Sequence, residues 1–173
     1  YADANNAVKA NIPMVPIAAG ASATAWAAGV DGAHSSPLGN EEFRVVGPGA
    51  DDTLVWMQNA EPIGLYCADE TDGESLRACE QIHESLYGYE IAGVEAYPRL
   101  AEECVSDETG TEWTCTLREG VTFHNGAALD ANDVVSSYAV QWDVNNPLHI
   151  GRDGSFTYFP GLWGGFLDDS GSE

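Results

Sequence analysis

The sequence predicts an α/β domain, a fold that mixes helices with strands, and three local patterns carry that prediction. Apolar side chains recur at helical spacing on one face between residues 76 and 86. Residues 113–117, WTCTL, alternate apolar and polar side chains as a half-buried strand does. Asp130 stands where a helix N-cap belongs, with Asp133 three residues later in the position of a capping box. With 173 residues, the chain is long enough for one domain with a core of its own.

The first third of the chain gives weaker signals. Residues 1–11 are predicted as the end of a helix, since alanines recur there at helical spacing. Residues 12–19 are apolar with two prolines, which favours an edge strand or an irregular one. Residues 20–50 are rich in Gly, Ala and Ser and are predicted as loop with one short strand at 43–46. Residues 53–58, TLVWMQ, are a better strand candidate.

The remaining elements follow in order. The helix face that begins at residue 76 consists of Leu76, Cys79, Ile82, His83 and Leu86. After the strand at 113–117 and a turn, residues 121–123 continue the strand pattern. The helix capped by Asp130 is expected to bury a stripe formed by Val134, Val135, Tyr138, Ala139 and Trp142. Residues 168–173 form a polar, acidic tail.

Charge excludes several classes of partner. The chain carries 28 acidic and 6 basic residues, a formal net charge of −22. Such a surface repels phosphate backbones and anionic lipid headgroups, so nucleic acid and membrane surfaces are not expected partners. The charge favours either a cationic ligand or solubility at high salt or in an acidic exterior. No apolar run approaches the ~20 residues of a membrane-spanning helix.

The four cysteines fall into two local pairs. Cys104 and Cys115 flank a polar turn between two alternating runs, which places them opposite each other on a hairpin. Cys67 and Cys79 flank a loop that runs into a helix. A four-cysteine zinc site is the alternative, but the close spacing of zinc ligands is absent. Two disulfides are therefore expected, and with them an oxidising, extracytoplasmic compartment.

Catalytic and metal-binding signatures are not recognisable. The four histidines are far apart in sequence, and none has a partner at the spacing of metal ligands. Residues 20–26, GASATAW, lack the second glycine of a nucleophile elbow. Residues 69–75, DETDGES, lack the alternating acids of a calcium loop. We therefore expect no enzyme activity, no metal and no cofactor.

A longer stretch carries a family resemblance. Residues 117–138, LREGVTFHNGAALDANDVVSSY, resemble a pattern of the extracellular solute-binding proteins of ABC importers, in the dipeptide/oligopeptide-binding family (family 5). The matching positions are Leu117, Arg118, Gly120, Val121, Phe123, His124, Asn125 and Gly126, followed by residues 132–135. Segments 61–65, 81–90, 97–104 and 146–162 resemble further parts of the family in the same order. The resemblance covers residues 53–167.

The order of the segments is unusual for that family. Residues 1–43 resemble its carboxy-terminal end, namely the last helix, a strand with the pattern P-x-V-P and a closing PLGN-x-x-F. The family's carboxy-terminal end therefore precedes its amino-terminal region in this chain. On this basis the chain divides into a tail-like segment, 1–50, a head-like segment, 51–167, and the acidic tail, 168–173. We expect both segments to pack in one lobe of a circularly permuted member, because permutation succeeds where termini are close and exposed.

The resemblance implies a fold and a function. The fold would be the larger lobe of a two-lobe, type II periplasmic-binding-protein-like architecture, incomplete in this chain. The function would be extracellular or periplasmic capture of a peptide or similar solute and its delivery to an ABC permease. The expected partners are the solute, the second lobe of the same binding protein and the permease, with anchoring at the cell surface through the parent protein. The alternative is a surface scaffold protein derived from such a lobe, without a role in transport.

Candidate ligand-binding residues lie at the end of the predicted strand and in the next loop: Asn59, Ala60, Glu61, Asp69, Glu70 and Thr71. The alternative role for them is to cap the following helix and to hold the loop closed by Cys67 and Cys79. His124, Asn125 and Gly126 are predicted to form a structural turn, with the His124 imidazole bonded to nearby backbone.

Overall fold

The computed structural model describes residues 1–12, 15, 17–18, 23–39 and 41–167. Its helices are α1 (Ala2–Asn11), α2 (Gly73–Glu80), α3 (Ala131–Trp142) and α4 (Tyr158–Trp163). Its strands are β1 (Tyr87–Tyr89), β2 (Ala96–Pro98), β3 (Ala101–Ser106) and β4 (Trp113–Leu117). They form two antiparallel pairs, β1 with β2 and β3 with β4. The mixture of helix and sheet is the one predicted, and α1 and β4 lie where the sequence placed them.

Three predicted strands are wrong. Residues 43–45 form a single 3₁₀ turn, and residues 53–58 have no regular structure. Residues 121–123 contribute only an isolated bridge between Thr122 and Ala128. A strand persists only where a neighbour bonds its N–H and C=O groups along its length. Within the described ranges no strand pairs with residues 43–46 or 53–58, and residues 121–123 have only the short segment 127–129 beside them. Four of the eight residues of the strand predicted at 12–19 lie outside the described residues, and so does the whole acidic tail.

Both well-marked helices begin after an aspartate N-cap, and the one at Asp130 was predicted. The Asp72 carboxylate accepts a hydrogen bond from Ser75 N at 2.9 Å at the start of α2. The capping box of α3 is confirmed, since Asp130 accepts from Asn132 N at 2.7 Å and Asp133 accepts from Asp130 N at 2.8 Å. At its other end α2 stops at Glu80, so the prediction that Ile82, His83 and Leu86 belong to its face is wrong. The amide groups of Ile82 and His83 both donate to Cys79 O, which closes the last turn.

Both predicted disulfides are confirmed. Cys104 and Cys115 are paired residues of β3 and β4, with Cα atoms 4.0 Å apart. Cys67 joins Cys79 with a Cα separation of 5.7 Å and so ties the turn at Cys67–Asp69 to α2.

The turn at residues 123–127 has the predicted form. Gly126 N donates to Phe123 O at 2.8 Å, and Gly126 has a φ of +86° that other residues rarely adopt. The Asn125 carboxamide oxygen accepts from Ala127 N at 3.0 Å. The prediction for the His124 imidazole is wrong, because that side chain is exposed and makes no hydrogen bond within the described parts of the chain.

The tail-like and head-like segments are in contact. The Trp26 ring lies 5.2 Å from Trp56, between centroids, and Phe43 lies 5.1 Å from Trp56. Phe43 N donates to the Gln81 side chain at 2.9 Å, and the Gln81 amide group donates to Glu41 O at 3.0 Å. Trp26 and Phe43 therefore pack on Trp56, and Glu41 and Phe43 bond to Gln81 at the end of α2.

Apolar burial is small for a chain of this size. Within the described ranges, the buried apolar residues are Cys79, Ala101 and Phe156. The chain exposes 12734 Å², whereas a compact protein of its mass exposes about 8000 Å². The predicted buried stripe of α3 is only partly covered. Val134, Ala139 and Trp142 are half-buried, and the Tyr138 and Trp142 rings pack on Phe159 and Trp163 of α4. Val135 remains 66% and Tyr138 42% exposed. Among the described helices, none combines the length and apolarity that a membrane span requires.

Candidate functional site

A groove of about 570 Å³ lies between the segment that follows Trp56 and the outer face of α2. It collects residues from three parts of the chain that are distant in sequence. Its lining consists of Phe43, Trp56, Met57, Gln58, Asn59, Ala60, Glu61, Glu74, Arg77 and Ala78. The groove is thus formed where the tail-like segment meets the head-like segment.

Trp56 is the centre of the aromatic wall. Phe43 and Trp26 pack against its ring, and the Arg77 guanidinium lies 5.4 Å from the ring centroid. This distance is within the range of a cation–π contact. The Trp56 indole nitrogen is enclosed and has no acceptor in the described structure. A buried N–H group without an acceptor is destabilising by about 1–3 kcal/mol.

Arg77 is fully engaged by the protein itself. Its Nε donates to Glu41 Oε2 at 3.0 Å, Nη1 to Gln58 Oε1 at 3.2 Å and Nη2 to Gly39 O at 2.9 Å. Burial on its own would raise the pKa of Glu41. Hydrogen bonds from its own backbone, from the Arg77 side chain and from the Ser36 backbone outweigh burial, and together with the Arg77 charge they lower the pKa below its ordinary value. The positive charge of the groove is therefore neutralised.

Two carboxylates of the groove are free. Glu61 and Glu74 make no hydrogen bond or ion pair with any described residue. Glu61 is exposed, and Glu74 is half-buried in the first turn of α2. With Arg77 paired to Glu41, the unbalanced charge that faces the groove is negative.

Asp69 occupies a different environment from the groove. It is 2% exposed, and both of its carboxylate oxygens accept backbone hydrogen bonds. Oδ2 accepts from Asp153 N at 3.0 Å and Gly154 N at 2.9 Å, and Oδ1 accepts from Phe156 N at 2.7 Å. Asp69 thereby fixes the loop before α4.

Glu70 and Thr71 contact the same region as Asp69. Glu70 Oε2 accepts from Arg152 Nε at 3.1 Å, while Oε1 is buried without a partner in the described chain. Thr71 O accepts from the Tyr158 hydroxyl at 3.4 Å.

The six predicted ligand-binding residues therefore divide into two groups. Asn59, Ala60 and Glu61 line the groove, whereas residues 69–71 hold the loop that leads to α4. The sequence prediction missed Phe43, Trp56, Glu74 and Arg77 as lining residues. Arg77 could have been singled out from the sequence, because the chain has only 6 basic residues against 28 acidic ones. Phe43 gave no such signal, because its place in the lining depends on packing against Trp56, which is 13 positions away in the sequence.

Groups suited to metal binding do not gather in the described part of the chain, where no cluster of three or more His, Cys, Asp or Glu side chains could hold an ion. Two of the histidines serve local structure instead. His34 Nδ1 lies 2.9 Å from Gly32 O, and its Nε2 accepts from Glu42 N at 3.1 Å. His149 Nδ1 lies 2.8 Å from Val140 O, and the ring stacks on Phe156.

Comparison with known proteins identifies relatives for the central part of the chain. Residues 95–155 match the model of the bacterial extracellular solute-binding proteins, family 5 Middle. The dipeptide-binding protein of Escherichia coli K12 is 32% identical over 117 residues, which are 64% of this chain and 22% of that protein. Heme-binding protein A of Haemophilus influenzae is 29% identical over 120 residues, 65% of this chain and 22% of that protein.

A further relative is the nickel-binding periplasmic protein of Escherichia coli K12, 30% identical over 93 residues, 53% of this chain and 17% of that protein. No solved structure matches the chain significantly. The chain spans about a fifth of the length of the curated relatives that it matches.

Proposed function

We propose that this chain, whose residues 95–155 belong to the bacterial extracellular solute-binding proteins of family 5, is part of a receptor that captures a peptide or similar solute outside the cytoplasmic membrane. The observation that carries the proposal is the 32% identity to a dipeptide-binding protein over 117 residues. Relatives named for heme and nickel binding share the same region, so the match supports solute capture more strongly than any one solute.

The proposed mechanism is closure of two lobes around the solute. This chain would supply part of the larger lobe, and the second lobe would come from the remainder of the same protein. Ligand contacts made by both lobes stabilise the closed state, because only that state satisfies both sets. The groove beside Asn59, Ala60 and Glu61 is the proposed contribution of this chain to the binding surface. Its mixture of apolar wall and polar rim is typical of small-molecule sites.

The proposed cellular role is delivery of the solute to an ABC permease. Binding proteins of this family are extracellular or periplasmic, and two disulfides among the four cysteines suit an oxidising compartment. Attachment to the cell surface would come through another part of the parent protein.

Circular permutation is the proposed origin of the segment order. It is supported by the contacts between the tail-like and head-like segments, which include the Trp26–Trp56 ring pair and the Arg77–Glu41 ion pair. Such contacts are expected if the two ends of an ordinary family member lie together on one lobe.

Native mass spectrometry of the intact parent protein tests solute capture. We expect a mass increment that disappears on denaturation, together with a rise in the melting temperature when the released compound or a small peptide is added back. Absence of any bound compound, combined with no thermal shift across di-, tri- and tetrapeptides, would contradict the proposed function.

Sequencing the gene on both sides of this segment tests permutation separately. The expected order places the middle of the family pattern before residue 1. An ordinary order, with the head-like segment near the start of the gene, would reject permutation and leave solute capture unaffected.

A further inference from the structure

We propose that His34 is a pH-sensitive switch at the junction of the tail-like and head-like segments. Its neutral imidazole accepts a hydrogen bond from the Glu42 amide, and protonation of the ring breaks that bond and loosens the junction. The switch consists of the imidazole and the two backbone groups that it contacts, Gly32 O and Glu42 N.

The two hydrogen bonds of His34 fix its protonation state. Nδ1 lies 2.9 Å from Gly32 O, and a carbonyl oxygen can only accept, so Nδ1 carries a proton. Nε2 lies 3.1 Å from Glu42 N, and an amide nitrogen can only donate, so Nε2 carries none. A second proton on Nε2 would face the N–H group of Glu42. The ring can therefore become an imidazolium only if this hydrogen bond is lost.

The other histidines differ from His34 in this respect. Nδ1 of His149 lies 2.8 Å from Val140 O, but its Nε2 makes no hydrogen bond with any described residue and can take a proton without losing one. The side chains of His83 and His124 make no hydrogen bond within the described ranges. His34 is thus the histidine whose contacts in the described structure exclude the charged form.

The Glu42 amide lies among the contacts that join the two segments. The carboxylate of Glu42 pairs with Arg99, and that of Glu41 pairs with Arg77 at 3.0 Å. Phe43 lines the groove, and its amide donates to the Gln81 side chain at 2.9 Å. Releasing the backbone at Glu42 therefore loosens the segment that carries both carboxylates and one wall of the groove.

Charged groups near the switch lie on its own segment and on the elements packed against it. The carboxylates are Asp31, Glu41, Glu42 and Glu80, and the arginines are Arg44, Arg77 and Arg99. Glu41 and Glu42 are paired with these arginines, and Asp31 is exposed, so water screens its charge. Desolvation and the charge of Glu42 raise the pKa of Glu80, so the test has to separate the titration of Glu80 from that of His34.

Hydrogen–deuterium exchange of the intact parent protein at about pH 7.5 and about pH 5.0, corrected for intrinsic rates, tests the switch. Histidine side chains ordinarily titrate near about pH 6.5, so the stabilising bond is present at the higher pH and is lost as the pH falls through that range. Protection of the Glu42 amide should fall about fivefold to tenfold in acid. The Phe43 amide, which bonds Gln81 across the junction, should lose protection with it.

Two substitutions of His34 separate its role from that of nearby carboxylates. His34→Gln supplies a carboxamide oxygen as acceptor but does not titrate, so exchange at Glu42 should be the same at both pH values. His34→Phe keeps a ring beside Trp26 without an acceptor, so the Glu42 amide should exchange rapidly at both. His124→Gln is the matched control: it removes an exposed imidazole and should retain the acid response of the unmodified protein.

Four outcomes would overturn the switch. Equal protection of the Glu42 amide at both pH values in the unmodified protein is the first. An equal acid loss in His34→Gln is the second, since it would assign the response to Glu80 or another carboxyl. Full protection of the Glu42 amide in His34→Phe is the third, and an unchanged Phe43 amide in acid is the fourth, because the junction would then not respond. If His34→Phe does not fold, the comparison of His34→Gln with the unmodified protein decides.

Discussion

Buried charge at the scale of single residues is concentrated where Glu41 and Glu42 meet Arg77 and Arg99. The Arg77 and Glu41 side chains are 16% and 5% exposed, and Arg99 bonds Glu42 in a comparable setting. Arg44 also pairs with Glu42, at 2.6 Å, but its side chain is 61% exposed. Removing one partner of a buried ion pair leaves an unpaired buried charge, whereas water replaces a lost partner at the surface.

Arg77→Gln and Arg44→Gln form a matched pair of substitutions. Arg77→Gln should lower the free energy of unfolding by about 3 kcal/mol, because Glu41 would remain buried without its cation. Arg44→Gln should lower it by less than about 1 kcal/mol. Urea unfolding of both variants of the 173-residue chain measures the difference. Similar losses in the two variants would show that the Arg77–Glu41 pair does not stabilise the contact between the tail-like and head-like segments.

The central element is α2, because the groove and the loop before α4 both depend on it. Glu74, Arg77 and Ala78 of α2 line the groove. Cys79 of the same helix bonds Cys67, which begins the 3₁₀ turn that ends at Asp69. Asp69 in turn accepts the amide hydrogens of Asp153, Gly154 and Phe156. The disulfide therefore links the helix to a loop more than 70 residues further along the chain.

Replacing both Cys67 and Cys79 by serine should weaken the connection between α2 and the loop before α4. Opening a loop of this length removes about 3 kcal/mol of stability, and amide exchange at Asp153, Gly154 and Phe156 should accelerate because Asp69 is no longer held in place. Hydrogen–deuterium exchange under native conditions measures the three amides.

The control is the double substitution of Cys104 and Cys115 by serine. It opens a loop of nearly equal size in the β3–β4 hairpin. It should cause a similar loss of stability but leave exchange in residues 153–156 at the rate expected from that loss alone. Identical exchange patterns in the two double variants would count against the proposed link.

The whole molecule combines a large exposed surface with five carboxylates whose pKa values are shifted, namely those of Glu41, Asp72, Glu80, Asp107 and Asp153. Burial alone would raise the pKa of Asp72, but the Ser75 amide and hydroxyl lower it, and the Ser155 hydroxyl and amide lower that of Asp153. The Thr109 hydroxyl and nearby amides lower the pKa of Asp107 to about 2. Glu80 shifts in the opposite direction, since desolvation and the charge of Glu42 raise its pKa. Carboxylates with lowered pKa values outnumber those with raised values in this set.

Stability should therefore fall in acid. A carboxyl whose pKa is lower in the folded state releases its proton more readily there than in the unfolded state. Its contribution is present above the ordinary pKa, 4.5 for a glutamate such as Glu41, and is lost as the pH falls through the folded value. The free energy of unfolding of the unmodified chain should be higher than that of Glu41→Gln. The difference should be largest above about pH 5 and much smaller near pH 3.

Chemical denaturation of both proteins between those two pH values measures this difference. The other carboxylates titrate alike in the unmodified chain and in Glu41→Gln. Their general effect on stability therefore cancels in the difference between the two proteins. A difference that stays constant with pH would mean that Glu41 titrates in the folded protein as it does in the unfolded chain.

Features that depend on neighbours in sequence were predictable. The cap at Asp130, the pairing of Cys104 with Cys115 and the glycine turn at Gly126 each need only a few adjacent residues to form. Of the six residues predicted to bind ligand, Asn59, Ala60 and Glu61 line the candidate groove, and their role in binding stays a prediction. Asp69 could not be assigned, because the backbone amides that surround it come from residues more than 80 positions away.

The sequence by itself determined the family resemblance, the covalent cross-links and the start of α3, because these depend on residue identity and short spacing. Only the tertiary structure decided which charges are neutralised and which remain free. Arg77 could have served the ligand or the protein, and its contacts with Glu41, Gln58 and Gly39 assign it to the protein. The physical reason is that charge pairing requires contact in space, and in this chain that contact joins segments which the sequence keeps apart.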